Sequence, residues 1–275
     1  MRNVRALISY DGSKFYGWQR QAGFHSVQEG LEHALLALTG QSIVVHGSSR
    51  TDTGVHALGQ VAHFRLDTRL TDDRLRHALN FYLEEGVAIR RLETAPEDFH
   101  ARFSALGKRY MYVTATTRFR PPFGVQYSHW VPQALALADM RAAARVLVGE
   151  HDFSAFASSG SPRRTNVRRV RSLHIIPRRE RFALVIEGNG FLYNMVRTIA
   201  GTLIEVGKGS LSAADVERIL RSADRSQAGP TAPAEGLYLV AVRYAEPVFA
   251  RRDRGERGVP GLFGFLGPSR APAER

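Results

Sequence analysis

The 275-residue sequence contains no cysteine. This excludes a disulfide framework and thiolate catalysis, and it removes the commonest structural zinc ligand. Among the ten histidines there is no HExxH pair, so a metal centre has no support either. No segment approaches the roughly 20 apolar residues of a membrane-spanning helix. The opening MRNVRALISYDG also lacks the apolar stretch of a secretory signal. A cytoplasmic protein, neither exported nor anchored, is the expectation. Two nucleotide-binding patterns are missed narrowly. Gly188-Asn189-Gly190 begins like a dinucleotide fingerprint, but Tyr193 stands where its third glycine belongs, so the stretch reads as a turn between strand and helix. Gly207-Lys208 ends like a phosphate loop, but Gly209 replaces the hydroxyl residue and Thr202 the first glycine. No bound cofactor is expected.

Lysine is scarce, with only Lys14, Lys108 and Lys208, so arginine supplies nearly all of the 38 basic residues that face 26 acidic ones. The resulting net charge of +12 points to a polyanionic partner. A general arginine bias would inflate the same count, so distribution matters more than total. The densest run, SPRRTNVRRVRSLHIIPRRERF, carries Arg163, Arg164, Arg168, Arg169 and Arg171, then Arg178, Arg179 and Arg181. Few acids interrupt it, and it reads as a surface that contacts phosphates.

Hydrophobic residues make up 44% of the chain, which suits one or two globular domains. Apolar periodicity gives a strand at VRALISY, a helix at SVQEGLEHALLALTG, a strand at QVAHFRL and a helix starting near TDDRLRHALNFYL. A similar order follows: strand RYMYVTAT, helix LADMRAAARVLVG, strands VRSLHIIP and RFALVIEGN, helix FLYNMVRTIAGTLIEVG and a closing strand LYLVAVRYA. Strands and helices mix without regular βαβ alternation, which favours an α+β class. The expected organisation is two similar α+β domains, residues 1–104 and 105–247, with mainly antiparallel sheets flanked by helices and a cleft between them. From 248 to 275 the chain is rich in Pro, Gly and Arg with no sustained period, as a mobile tail is.

The stretch SSRTDTGVHALGQ, residues 48–60, holds a single carboxylate, Asp52, in a polar and turn-prone setting. It admits three readings. One is an Asx turn, in which the short acid accepts backbone N–H groups beside Gly54. Another is half of an aspartic protease site, which needs a second carboxylate that only a dimer could supply. The third is a lone nucleophilic or general-base aspartate aimed into an RNA-binding cleft. A second oddity bears on the choice. In FLYNMVRTIAGTLIEVG apolar residues lie nearly all round the helix, which implies burial on more than one side, yet Arg197 sits in its middle. A guanidinium there cannot lose its proton and needs a carboxylate or a string of acceptors. Glu205 is badly placed for that, so Asp52, from the other half of the chain, is the candidate partner.

SRTDTGVHA, with YDGSKFYGWQRQ before it and FHARFSALGKRYMY, GNGFLYNMVRTIAGTL and TAPAEGLYLV after it, closely resembles the tRNA pseudouridine synthase A family from roughly Val4 to Tyr244. The resemblance implies two α+β domains, a homodimer, and cofactor-free isomerisation of uridine to pseudouridine at positions 38 to 40 of the tRNA anticodon stem-loop. By the same resemblance Asp52 is the catalytic aspartate and Tyr110 the tyrosine that stacks on the target base. Arg197 matches the arginine paired with the acid, and Arg50 the arginine that fills the space left by the flipped nucleotide. Ser49 departs from the family's usual glycine. The runner-up from the residues themselves is an RNA-binding protein that keeps the fold without the chemistry, although a binder has no need of a paired buried acid.

Overall fold

The structure, a computed structural model, describes residues 1–158 and 165–249. Arg163 and Arg164 of the basic run, and the expected tail from 250 onward, lie outside the described residues. Among those described there are ten strands and five α-helices, so the class is α+β. The strands are β1 (Arg2–Tyr10), β2 (His46–Gly47), β3 (His56–Leu66), β4 (Val87–Thr94), β5 (Gly107–Ala115), β6 (His129–Trp130), β7 (Gly149–Asp152), β8 (Val167–Arg178), β9 (Arg181–Gly188) and β10 (Leu237–Arg243). The helices are α1 (Val27–Thr39), α2 (Asp72–Tyr82), α3 (Leu137–Val146), α4 (Met195–Gly207) and α5 (Ala213–Ser222).

Local chemistry sets the helix ends. Ser26 caps α1 through the backbone N–H of Glu29, and Gly40 ends it at φ 69°, a left-handed conformation that glycine adopts without strain. Thr71 caps α2, where Asp72 and Asp73 place negative charge at the positive end of the helix dipole. Ser212 and Asp215 form a reciprocal capping box at α5.

The strands join in one sheet in the order β4-β1-β3-β10-β5-β9-β8-β7, with β2 added to β3 and β6 to β5. Pairing is antiparallel except between β10 and β3 and between β5 and β6. Strands of the first half therefore lie at one end, those of the second half at the other, and β10 joins them in the middle. All five helices share one apolar core with a single face of the sheet. Period-two alternation explains the choice of face: Val4, Ala6, Ile8 and Tyr10 of β1 point into that core, as do Tyr110 and Tyr112 of β5. Val61, Phe99 and Ala101 form a smaller cluster, against which Val248 and Phe249 pack.

One feature differs from the sequence expectation. Helix α4 starts at Met195, four residues after Phe191, because Asn194 is left-handed at φ 59° and interrupts the helical path. Arg197 consequently sits in the first turn of α4, not its middle. The closing strand β10 lies between β3 of the first half and β5 of the second.

Helix α4 is buried almost all round, as its composition implies. Its Gly201 faces the chain at 229–232 so closely that a Cβ would lie 1.8 Å from the Pro230 carbonyl oxygen. Gly229 N–H donates to Thr202 Oγ1, and Ala232 N–H to the Arg197 carbonyl, which holds that chain in place. Gly201→Ala is thus expected to destabilise the fold by about 1–3 kcal/mol, a fall in Tm of several degrees in thermal unfolding. An unchanged Tm would mean that the 229–232 segment yields freely.

Candidate active site

Asp52 lies in the loop between β2 and β3, and the backbone around it is held on both sides. Thr51 Oγ1 lies 2.7 Å from the buried Tyr10 hydroxyl, and its carbonyl accepts the Trp18 N–H at 3.0 Å. Gly17, at φ +85°, passes beneath, where a Cβ would come 2.5 Å from the Thr51 carbonyl oxygen. Gly12 supports the far side, with space for a Cβ only 2.1 Å from the Val55 carbonyl oxygen. The turn closes with Val55 N–H donating to the Asp52 carbonyl, and Gly54 supplies the positive φ of +79°. The backbone is fixed and the carboxylate is left over. Among the described residues the Asp52 side chain accepts no hydrogen bond, and its charged neighbour is Arg197, Nη1 to Oδ2 3.9 Å. An Asx turn is therefore not its role.

Arg197 reaches toward the loop from the first turn of α4, the end where backbone N–H groups already concentrate positive potential. Its Nε donates to the Ala232 carbonyl at 2.7 Å and its Nη1 to Asn194 Oδ1 at 3.0 Å. The guanidinium is thus oriented by two neutral acceptors and stops short of a hydrogen bond to Asp52. Its side chain is 19% exposed, against 40% for Asp52. Burial raises the Asp52 pKa above the ordinary carboxylate range; Arg197 opposes the rise without cancelling it.

Tyr110 forms the floor. Its ring is buried and meets Phe191 edge to face at 5.3 Å between centroids, while its hydroxyl lies 3.1 Å from Ser49 Oγ. Burial pushes the phenol up to about 12, so it stays protonated. Ser49 is in turn held through its carbonyl by Gln60, which also binds the Ser48 hydroxyl. Arg50 is exposed at the rim, its Nε donating to Gln19 Oε1 at 3.1 Å; Gln19 continues to Gln28, and Gln28 to the buried Glu32. Asp52, Arg197, Tyr110, Ser49 and Arg50 share one cleft of about 810 Å³, lined from 18–55, 100–110, 191–197 and Leu237, so both halves of the chain contribute.

Residues 6–104 and 143–245 match a family model described as tRNA pseudouridine synthase. The chain belongs to that family. A relative named tRNA pseudouridine synthase A from Acetivibrio thermocellus is 44% identical over 244 residues, 89% of this chain and all of the relative. One of the same name from Ruminiclostridium cellulolyticum is 43% identical over 245 residues, with the same coverage. The lining of the cleft includes four cations, Arg50, Arg102, Lys108 and Arg197, and two exposed aromatic side chains, Phe103 and Tyr193.

Asp52, Tyr110, Arg197 and Arg50, singled out in the sequence, all line this cleft. The basic run is distributed differently. Strand alternation turns Arg168 toward the cleft side, near Gly190, and its neighbour Arg169 to the opposite face of the sheet. Sequence reasoning passed over Asn194, Arg102 and Lys108. The last had a signal: two residues before Tyr110 on a strand, it shares the tyrosine's face.

Proposed function

We propose that this protein isomerises uridine to pseudouridine in tRNA, at positions 38 to 40 of the anticodon stem-loop, with Asp52 as the catalytic group. The observation that carries the reading is a carboxylate that accepts no hydrogen bond among the described residues, 3.9 Å from Arg197, in the same cleft as the buried Tyr110. We propose further that it acts as a cytoplasmic homodimer.

The reaction breaks the N1–C1′ glycosidic bond and forms a bond from C5 to the same ribose carbon. The C5 proton is lost and N1 gains one, so no electrons and no groups leave. Asp52 can attack C1′, attack the base, or take a proton from the sugar; each needs the ionised carboxylate that Arg197 favours. Tyr110 and Phe191 form an aromatic corner on which a detached uracil is held while it turns. Bringing the base there costs a few kcal/mol of unstacking, recovered from contacts to the flipped nucleotide and the backbone. Arg50, exposed two residues before the acid, then occupies the gap left in the stem.

The test uses a tRNA transcript labelled with tritium at uridine C5. The protein should release tritium in proportion to the uridines at 38 to 40 and release none when those are replaced by cytidine. Absence of release from the unaltered transcript would remove the reading. Binding gives a separate check: Arg168→Glu should weaken affinity for all tRNAs alike and flatten its salt dependence, because phosphate contacts carry no sequence information. Unchanged affinity in a filter-binding titration would move the RNA path away from β8. Sedimentation of the purified chain at twice its monomer mass is expected for the homodimer.

A further inference from the structure

Strand β5 carries its charges unevenly. On the face away from the cleft, Arg109 is matched: Glu187 accepts hydrogen bonds from both Arg109 and Arg243. On the cleft face stands Lys108, half-buried, and among the described residues neither it nor Arg102 meets a carboxylate. Burial, Arg102 and Arg168 all push the Lys108 ammonium below its ordinary value. A fold that pairs an exposed arginine yet leaves a more buried lysine among cations has put positive charge where an anion belongs. Its position says which anion. Lys108 and Tyr110 are two residues apart on one strand face, about 7 Å at the usual rise, a separation comparable to that between a nucleotide's base and its phosphate. Both line the cleft with Asp52.

We propose that Lys108, with Arg102 beside it, binds one backbone phosphate flanking the uridine that rests on Tyr110. The inference builds on the isomerase reading above and adds a residue that positions the flipped nucleotide. It assigns Lys108 to a single phosphate, unlike a diffuse basic surface, whose contacts are interchangeable.

The experiment pairs two protein variants with two modified RNAs. Anticodon stem-loops carry one uncharged methylphosphonate, either 5′ or 3′ of the target uridine, and affinities are measured for wild type, Lys108→Gln and Lys108→Arg. One of the two modifications should weaken wild-type binding about 5- to 10-fold. Lys108→Gln should lose a similar factor with unmodified RNA and less than about 2-fold more when that phosphate is neutralised, since the partner is already gone. Its slope of log affinity against log salt should be shallower by about 0.7–0.9, while Lys108→Arg should keep the wild-type slope. Thermal unfolding of each variant shows that the fold survives. A Lys108→Gln protein as sensitive to both modifications as wild type would overturn the assignment. So would unchanged affinity and salt slope with a reduced kcat, which would place the lysine in the chemistry. Binding is read without turnover and tritium release without binding constants, so the phosphate site and the isomerase reading fail separately.

Discussion

Asp52→Asn is expected to lower pseudouridine formation by roughly four orders of magnitude or more, the scale seen when a covalent or proton-transferring group is removed from a site that acts as a unit. Binding of tRNA should be nearly unchanged, because phosphate contacts dominate affinity and the amide keeps the side-chain volume. The same variant should be slightly more stable than wild type at neutral pH. Burial raises the Asp52 pKa in the folded protein, so the stability associated with the protonated acid is present at low pH and lost as pH rises through the raised pKa. Asparagine removes that loss. With 40% of the acid's side chain exposed, the gain is held under about 1 kcal/mol, and it should vanish as pH falls below the ordinary carboxylate range. Turnover by Asp52→Asn above about one percent of wild type in the tritium assay would remove the aspartate from its role.

Arg197→Met carries the second large effect. Arg197 is the group that opposes the rise of the Asp52 pKa, so its loss lets burial act unopposed and the acid holds its proton to higher pH. A protonated carboxyl is neither nucleophile nor base. Activity should therefore fall at neutral pH and recover in part as pH rises, with the acid limb of the kcat/KM profile moved to higher pH. The stability cost has a different source. Methionine leaves the Ala232 carbonyl and Asn194 without their donor, worth about 1–3 kcal/mol. Loss of the ion pair adds little, since 3.9 Å across a partly exposed gap couples charges weakly. A double-mutant cycle with Asp52→Asn should accordingly give a coupling below about 1 kcal/mol in stability but a large one in activity. An acid limb that stays in place in Arg197→Met would sever the electrostatic link between the two groups.

Much of this protein was written locally. Ser26 and Gly40 bracket α1, Thr71 and two aspartates open α2, and alternation in VRALISY marks β1, each through interactions within a few residues. Helix α5 was equally legible, from the Ser212–Asp215 capping box, but was not singled out; β4 was less so, because its buried positions 87, 89 and 92 break the two-residue period where its register against β1 shifts. Asp52 and Arg197 stood out because each is chemically out of place in its own segment, a lone acid in a turn and a cation in an apolar helix. Their meeting could only be supposed.

What sequence alone determined is thus most of the longer elements, the α+β class, the polyanionic bias and the short list of residues with unsatisfied chemistry. These depend on capping, periodicity and charge, which act over a few residues. Only the tertiary structure decided that Asn194 breaks the helix early and turns Arg197 into its first turn, that β10 joins the two halves beside β3, and that Arg168 and Arg169 face opposite sides of the sheet. It also decided the balance at Asp52, where burial outweighs a guanidinium 3.9 Å away. Burial and long-range pairing depend on residues more than a hundred positions apart in the chain, and no local pattern encodes how closely those will approach.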